Sequence, residues 1–116
     1  MEFKIFSKLY DEAKSYGDID MYVAERGWQE WMDKYSQDSD VSVIADILHS
    51  IFELSKMDIK QLRTSLGLTF NAFSSIYSVP SRTVQDWEYG KNKTPEYMKK
   101  LVAYTIFIGR LEHEQD

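Results

Sequence analysis

The run LRTSLGLTFNAFSSIYSVPSRTVQDWEYG, from Leu62 to Gly90, carries dense helix punctuation. Asp58 lies just upstream with Gln61 three residues later, a capping-box pattern for a helix starting there. Ile59, Leu62 and Leu66 give that helix an apolar stripe, and Gly67 can close it in the left-handed conformation. Thr69 can cap a second helix carrying Phe70, Phe73, Ile76 and Tyr77. Ser78-Val79-Pro80 reads as a turn. Pro80 suits the first position of a third helix, since its missing N–H has no helical partner there. Val84, Trp87 and Glu88 continue this helix over Pro80–Tyr89, and Gly90 ends it. Thr94-Pro95 is another cap-plus-proline start. Tyr97, Leu101, Tyr104, Ile108 and Leu111 then recur along a last helix.

Upstream, Phe3, Phe6, Leu9, Tyr10 and Ala13 fall at helical spacing, with a short strand at Phe3–Ser7 as the alternative. Gly17-Asp18 breaks the pattern, and Asp18 or Asp20 can cap a helix running to Arg26. Trp28, Trp31, Met32 and Tyr35 mark one face of a further helix, and Ser36 to Asp40 reads as a polar turn. Ile44, Ile47, Leu48, Ile51 and Phe52 make 41–54 a strongly amphipathic helix. The expectation is an all-α fold of two regions. Residues 1–54 form an acidic, aromatic-rich helical extension, and residues 55–112 form the punctuated helical domain.

The chain has 116 residues, 43% of them hydrophobic, which excludes a disordered chain and needs no staples. It has no cysteine, so disulfides and thiolate chemistry are excluded. No apolar run approaches the ~20 residues of a bilayer span, and Met1-Glu2-Phe3-Lys4 does not open a signal peptide. A cytoplasmic protein without a membrane association is expected. The net charge of −5 is unevenly spread: residues 1–54 carry −7, residues 55–100 carry +4 and residues 101–116 carry −2. A locally basic segment suits a polyanion better than the total suggests. His49 and His113 lack metal-ligand spacing, and Asp38 and Asp40 lack the rest of a calcium loop. No phosphate loop, serine elbow or His-and-acid pairing is present, so neither an enzyme nor a cofactor is expected.

The segment from Asp58 to Leu101 resembles the helix-turn-helix domain of the Xre family, which includes Cro and related phage repressors. The resemblance rests on Leu62, Arg63, Leu66-Gly67-Leu68-Thr69, Phe73, Val79, Arg82-Thr83-Val84, Trp87-Glu88, Gly90 and Thr94-Pro95. It covers about 45 of the 116 residues. It implies a Cro/repressor-like helix-turn-helix whose second helix, 80–89, enters the DNA major groove, with Phe73, Val79, Val84 and Trp87 packed beneath it. Three positions depart from the family pattern: Phe70 stands where glutamine is usual, Ser78 replaces the turn glycine, and Pro80 replaces a serine.

On this reading Ser81, Arg82, Gln85 and Asp86 face the bases. Arginine can reach guanine N7 and O6, and glutamine can reach adenine N6 and N7. Thr69, Lys91, Lys93 and Lys99 lie where phosphates pass. The expected function is a sequence-specific transcriptional repressor of bacterial, phage or mobile-element origin, binding double-stranded DNA as a homodimer. Phe70, Asp86 and the acidic first region support an alternative. In that alternative the same scaffold serves as a protein-binding inhibitor or adaptor of the anti-CRISPR or antitoxin kind. It would engage a basic protein partner through the N-terminal half, with Trp28 and Trp31 as its contact residues. A protein that performs both tasks is a third reading.

Overall fold

The side chains of Asp18, Asp58 and Thr69 cap helices in the computed structural model, which describes residues 1–26 and 41–115. Seven helices and no strand are present among these residues: α1 Phe3–Lys14, α2 Ile19–Arg26, α3 Val41–Ser55, α4 Ile59–Ser65, α5 Phe70–Tyr77, α6 Ser81–Glu88 and α7 Glu96–Gln115. The helix rather than the strand is thus found at Phe3. The helix expected at Trp28 to Tyr35 and the turn at Ser36 to Asp40 lie outside the described residues. No helix among those described is long and apolar enough to cross a membrane.

The chain divides into two units. One comprises residues 1–56 together with Phe107 onward, and the other comprises 57–106. The end of α7, expected in the second region, therefore belongs with the first.

In the first unit, α1 turns Phe6, Leu9, Tyr10 and Ala13 inward, and α3 contributes Ile44, Ile47, Leu48 and Ile51, all buried. Phe107 closes on Phe6 with ring centroids 5.3 Å apart, inside the range of favourable aromatic pairs. Arg110 donates from Nη1 to Ser50 Oγ at 2.9 Å and from Nη2 to Glu53 at 3.3 Å. Asp18 is the acid that starts α2, because its Oδ1 accepts from Asp20 N at 2.8 Å. The Lys56 ammonium covers the end of α1 by donating to the carbonyls of Tyr16 (2.6 Å) and Lys14 (3.3 Å).

Tyr22 is fully buried in this unit and donates its hydroxyl to the Leu9 carbonyl at 3.0 Å. Burial, and after it the charge of Glu12, push its phenol well above the ordinary value of 10.0. A phenol held neutral in the fold stabilises it fully below pH 10.0, and that contribution is lost as pH rises beyond that value. Tyr22→Phe removes this hydrogen bond to the Leu9 carbonyl and is expected to cost about 0.5–1.5 kcal/mol at neutral pH. Urea unfolding should also show the variant losing stability less steeply than the parent between about pH 10 and 11. Parallel pH profiles for the two proteins would refute the assignment.

In the second unit three successive helices end by one device. Gly67 (φ 69°), Ser78 (φ 58°) and Gly90 (φ 77°) take the left-handed conformation. A bond spanning five residues then closes each end: Leu68 N to Arg63 O (3.3 Å), Val79 N to Ser74 O (3.3 Å) and Lys91 N to Asp86 O (2.8 Å). Ser78 is the only non-glycine residue with positive φ among the described residues. Its Cβ bears a steric cost that glycine avoids, so Ser78→Gly is expected to stabilise the unit by about 0.5–1 kcal/mol after the added freedom of the unfolded chain is subtracted. The corresponding rise in midpoint is about 4 °C by thermal unfolding, and a fall in midpoint would contradict this account.

The second unit's core comprises Ile59, Leu62, Phe73, Val79, Val84, Val102, Ala103 and Ile106, all buried. The last helix buries this 102–106 face rather than the stripe expected from spacing: Tyr97 is 66% and Leu101 42% exposed. Residues 101–108 are apolar nearly all round, so spacing alone selects more than one face. Ile76, expected in the stripe of α5, is likewise exposed.

Candidate nucleic-acid interface

The segment from Thr69 to Gly90 is built as two eight-residue helices joined by Ser78, Val79 and Pro80. Thr69 is the N-cap of α5, its hydroxyl accepting from Ala72 N at 3.1 Å. Pro80 is the N-cap of α6 rather than its first residue. Its φ of −54° and ψ of 137° are non-helical, while its carbonyl accepts from Thr83 N and Val84 N. Helix α6 accordingly begins at Ser81, one residue later than the pattern suggested. Pro95 stands in the same relation to α7, accepting from Met98 N and Lys99 N, so Thr94 is not the cap.

The four residues read from sequence as base-facing occupy successive turns of α6 and are paired with one another. Gln85 Nε2 donates to Ser81 Oγ at 3.3 Å, and Arg82 Nε meets Asp86 Oδ1 at 3.3 Å. Both are i,i+4 pairs, the spacing at which helix side chains meet. The Arg82 side chain is 76% exposed and that of Asp86 19%. Asp86 therefore holds a basic neighbour and does not stand as an isolated negative charge.

Beneath this face, Val84 is fully buried and Val79 nearly so. Trp87, expected in the core, is half-buried and forms part of the wall of a cleft. Besides this packing, α6 is tied down by an ion pair that sequence reading missed. Arg63 of α4 donates from Nε (2.6 Å) and Nη2 (2.9 Å) to the two carboxylate oxygens of Glu88, and from Nη1 to the Leu68 carbonyl at 2.8 Å. The two side chains are only 12% and 2% exposed. The Glu88 hydrogen bonds raise the pKa of Arg63 above its ordinary value, which keeps it charged throughout the working pH range. Phe70 lies under the same guanidinium, its ring centroid 4.1 Å from Cζ. Phe70 is thus a packing partner of the arginine.

Of the lysines read as phosphate contacts, Lys91 and Lys93 are exposed in the loop after α6. Lys99 is half-buried in α7 and pairs with Glu96 at 3.1 Å. Trp28 and Trp31, the candidate protein-binding residues, lie outside the described residues.

Compared with protein-family models, characterised proteins and solved structures, the chain matches none.

Proposed function

We propose that residues 57–106 form a helix-turn-helix module that reads double-stranded DNA with α6, and that the protein acts as a cytoplasmic transcriptional repressor. The observation that carries this reading is Arg82. It is 76% exposed at the second position of a helix held from below by buried Val84 and by the Arg63–Glu88 pair. A fixed helix with an exposed arginine and a glutamine one turn on is what bidentate recognition of guanine and adenine asks for. The excess of lysine in the same segment supports attraction to phosphate, and the resemblance of residues 58–101 to Xre-type domains agrees with it. The module acts as a homodimer on this reading, which makes its target an inverted repeat.

The test is selection from a random duplex library at physiological salt. An enriched inverted repeat with half-sites about one helical turn apart is the expected result. An unenriched pool whose weak binding disappears as salt rises would leave only non-specific phosphate attraction and reject the proposal.

A second reading, an inhibitor or adaptor that binds another protein, is favoured by one observation. Ile76, Tyr89, Tyr97 and Leu101 are all exposed in this unit, at 61%, 74%, 66% and 42%. Large apolar residues left in water suit a protein contact better than a phosphate backbone.

A further inference from the structure

A cleft of about 370 Å³ opens between α4, the end of α6 and the start of α7; the DNA-reading proposal shares only Lys93 and Lys99 with it. Lys60, Lys93 and Lys99 line it from three separate segments. The two acids in its wall are already engaged. Both carboxylate oxygens of Glu88 are taken by Arg63, and Asp58 Oδ1 accepts from Gln61 N at 2.8 Å in the capping box. Lys99 contacts Glu96 at the rim, while Lys60 and Lys93 are exposed. Asp58 keeps its negative charge, so with Glu88 neutralised by Arg63 and Lys99 by Glu96 the cleft presents a net excess of one positive charge, from Lys60 and Lys93, around a concave space.

Trp87 supplies the other half of the chemistry. A half-buried indole at the wall of a cleft offers a planar face for stacking. Asn92 and Thr94 add side-chain groups able to donate and accept hydrogen bonds. The volume lies at the lower end of small-molecule sites, roughly 300–1,000 Å³. A concave space of this size suits a compact ligand, whereas the phosphates of a duplex present a convex surface.

We propose that this cleft binds a mononucleotide-sized ligand, with its ring on Trp87 and its phosphates among Lys60, Lys93 and Lys99. The site stands whether or not α6 reads DNA.

The probe is adenosine diphosphate, titrated by calorimetry into the full chain. Adenosine, inorganic pyrophosphate and a short duplex of unrelated sequence serve as parallel arms. Trp87 is followed by fluorescence in a Trp28→Phe/Trp31→Phe background, where it is the only tryptophan left of three. The expected result is saturable binding with a change in Trp87 emission, weakened at least about tenfold by Lys60→Ala/Lys93→Ala and by omission of either the ring or the phosphates. Should the background variant fail to fold, calorimetry with Trp87→Phe reads the same contribution. Three outcomes overturn the proposal: no saturable binding of the diphosphate at millimolar concentration; pyrophosphate binding as tightly as the nucleotide; or duplex binding that depends on Lys60 and Trp87 while the nucleotide does not bind.

Discussion

Glu88→Ala should destabilise the second unit by about 3–5 kcal/mol, a large share of the 5–15 kcal/mol typical of a whole domain. The cost arises on the arginine. With its carboxylate gone, Arg63 keeps a charge that is 12% exposed and retains only the Leu68 carbonyl and the Phe70 face. Desolvation of an unpaired ion, more than loss of attraction, makes such deletions expensive. Urea unfolding at neutral pH gives the measurement. Arg63→Met/Glu88→Leu removes both charges together and should recover most of the loss, because no buried charge is then stranded. A cost for Glu88→Ala below about 1 kcal/mol, as for exposed pairs, would mean that the ion pair does not hold α6.

The second large effect belongs to the proposed function. Arg82→Ala/Gln85→Ala should abolish sequence preference while the fold is retained, since neither side chain is part of the core. Each bidentate interaction supplies about 1–3 kcal/mol of discrimination at its base pair, so the double variant should bind preferred and scrambled duplexes almost equally. Lys91→Ala/Lys93→Ala provides the contrast. It should weaken binding to all sequences alike and reduce the slope of affinity against salt by about one for each phosphate no longer neutralised. Unchanged sequence preference in the Arg82→Ala/Gln85→Ala variant would place the reading surface elsewhere.

The features legible from sequence are those in which a residue acts on its immediate neighbours. Asp58 with Gln61, Thr69, Gly67 and Gly90 all behave as their local chemistry dictates, and the all-helical fold follows from them and from apolar spacing. Pro80 and Pro95 are legible as helix starts but not to the residue, because proline suits the N-cap and the first helical position alike. The Arg63–Glu88 pair is not legible as a contact. Its partners are 25 residues apart, and each charge suits an ordinary exposed helix face equally well. The pairing of Ser81 with Gln85 and of Arg82 with Asp86 is implicit in the i,i+4 spacing, but the same spacing serves a groove-facing row of side chains. Trp87 illustrates another limit. Its size and apolarity mark tryptophan as a core residue, and only the arrangement of α4 and α7 leaves one side of it to a cleft.

The short links between α4, α5 and α6 bear on how quickly this part of the chain finds its structure. Leu66 to Thr69 and Ser78 to Pro80 join successive helices, and each helix end is closed by a bond over five residues. Little chain entropy is lost in bringing such neighbours together, so their assembly belongs to the microsecond-to-millisecond regime of helical units, about 1,000-fold ahead of sheet proteins of similar size. The bridge from Arg63 to Glu88 spans 25 residues and is expected to form after the local turns. Strengthening it should therefore lengthen the lifetime of the native state and leave the rate of its formation nearly untouched.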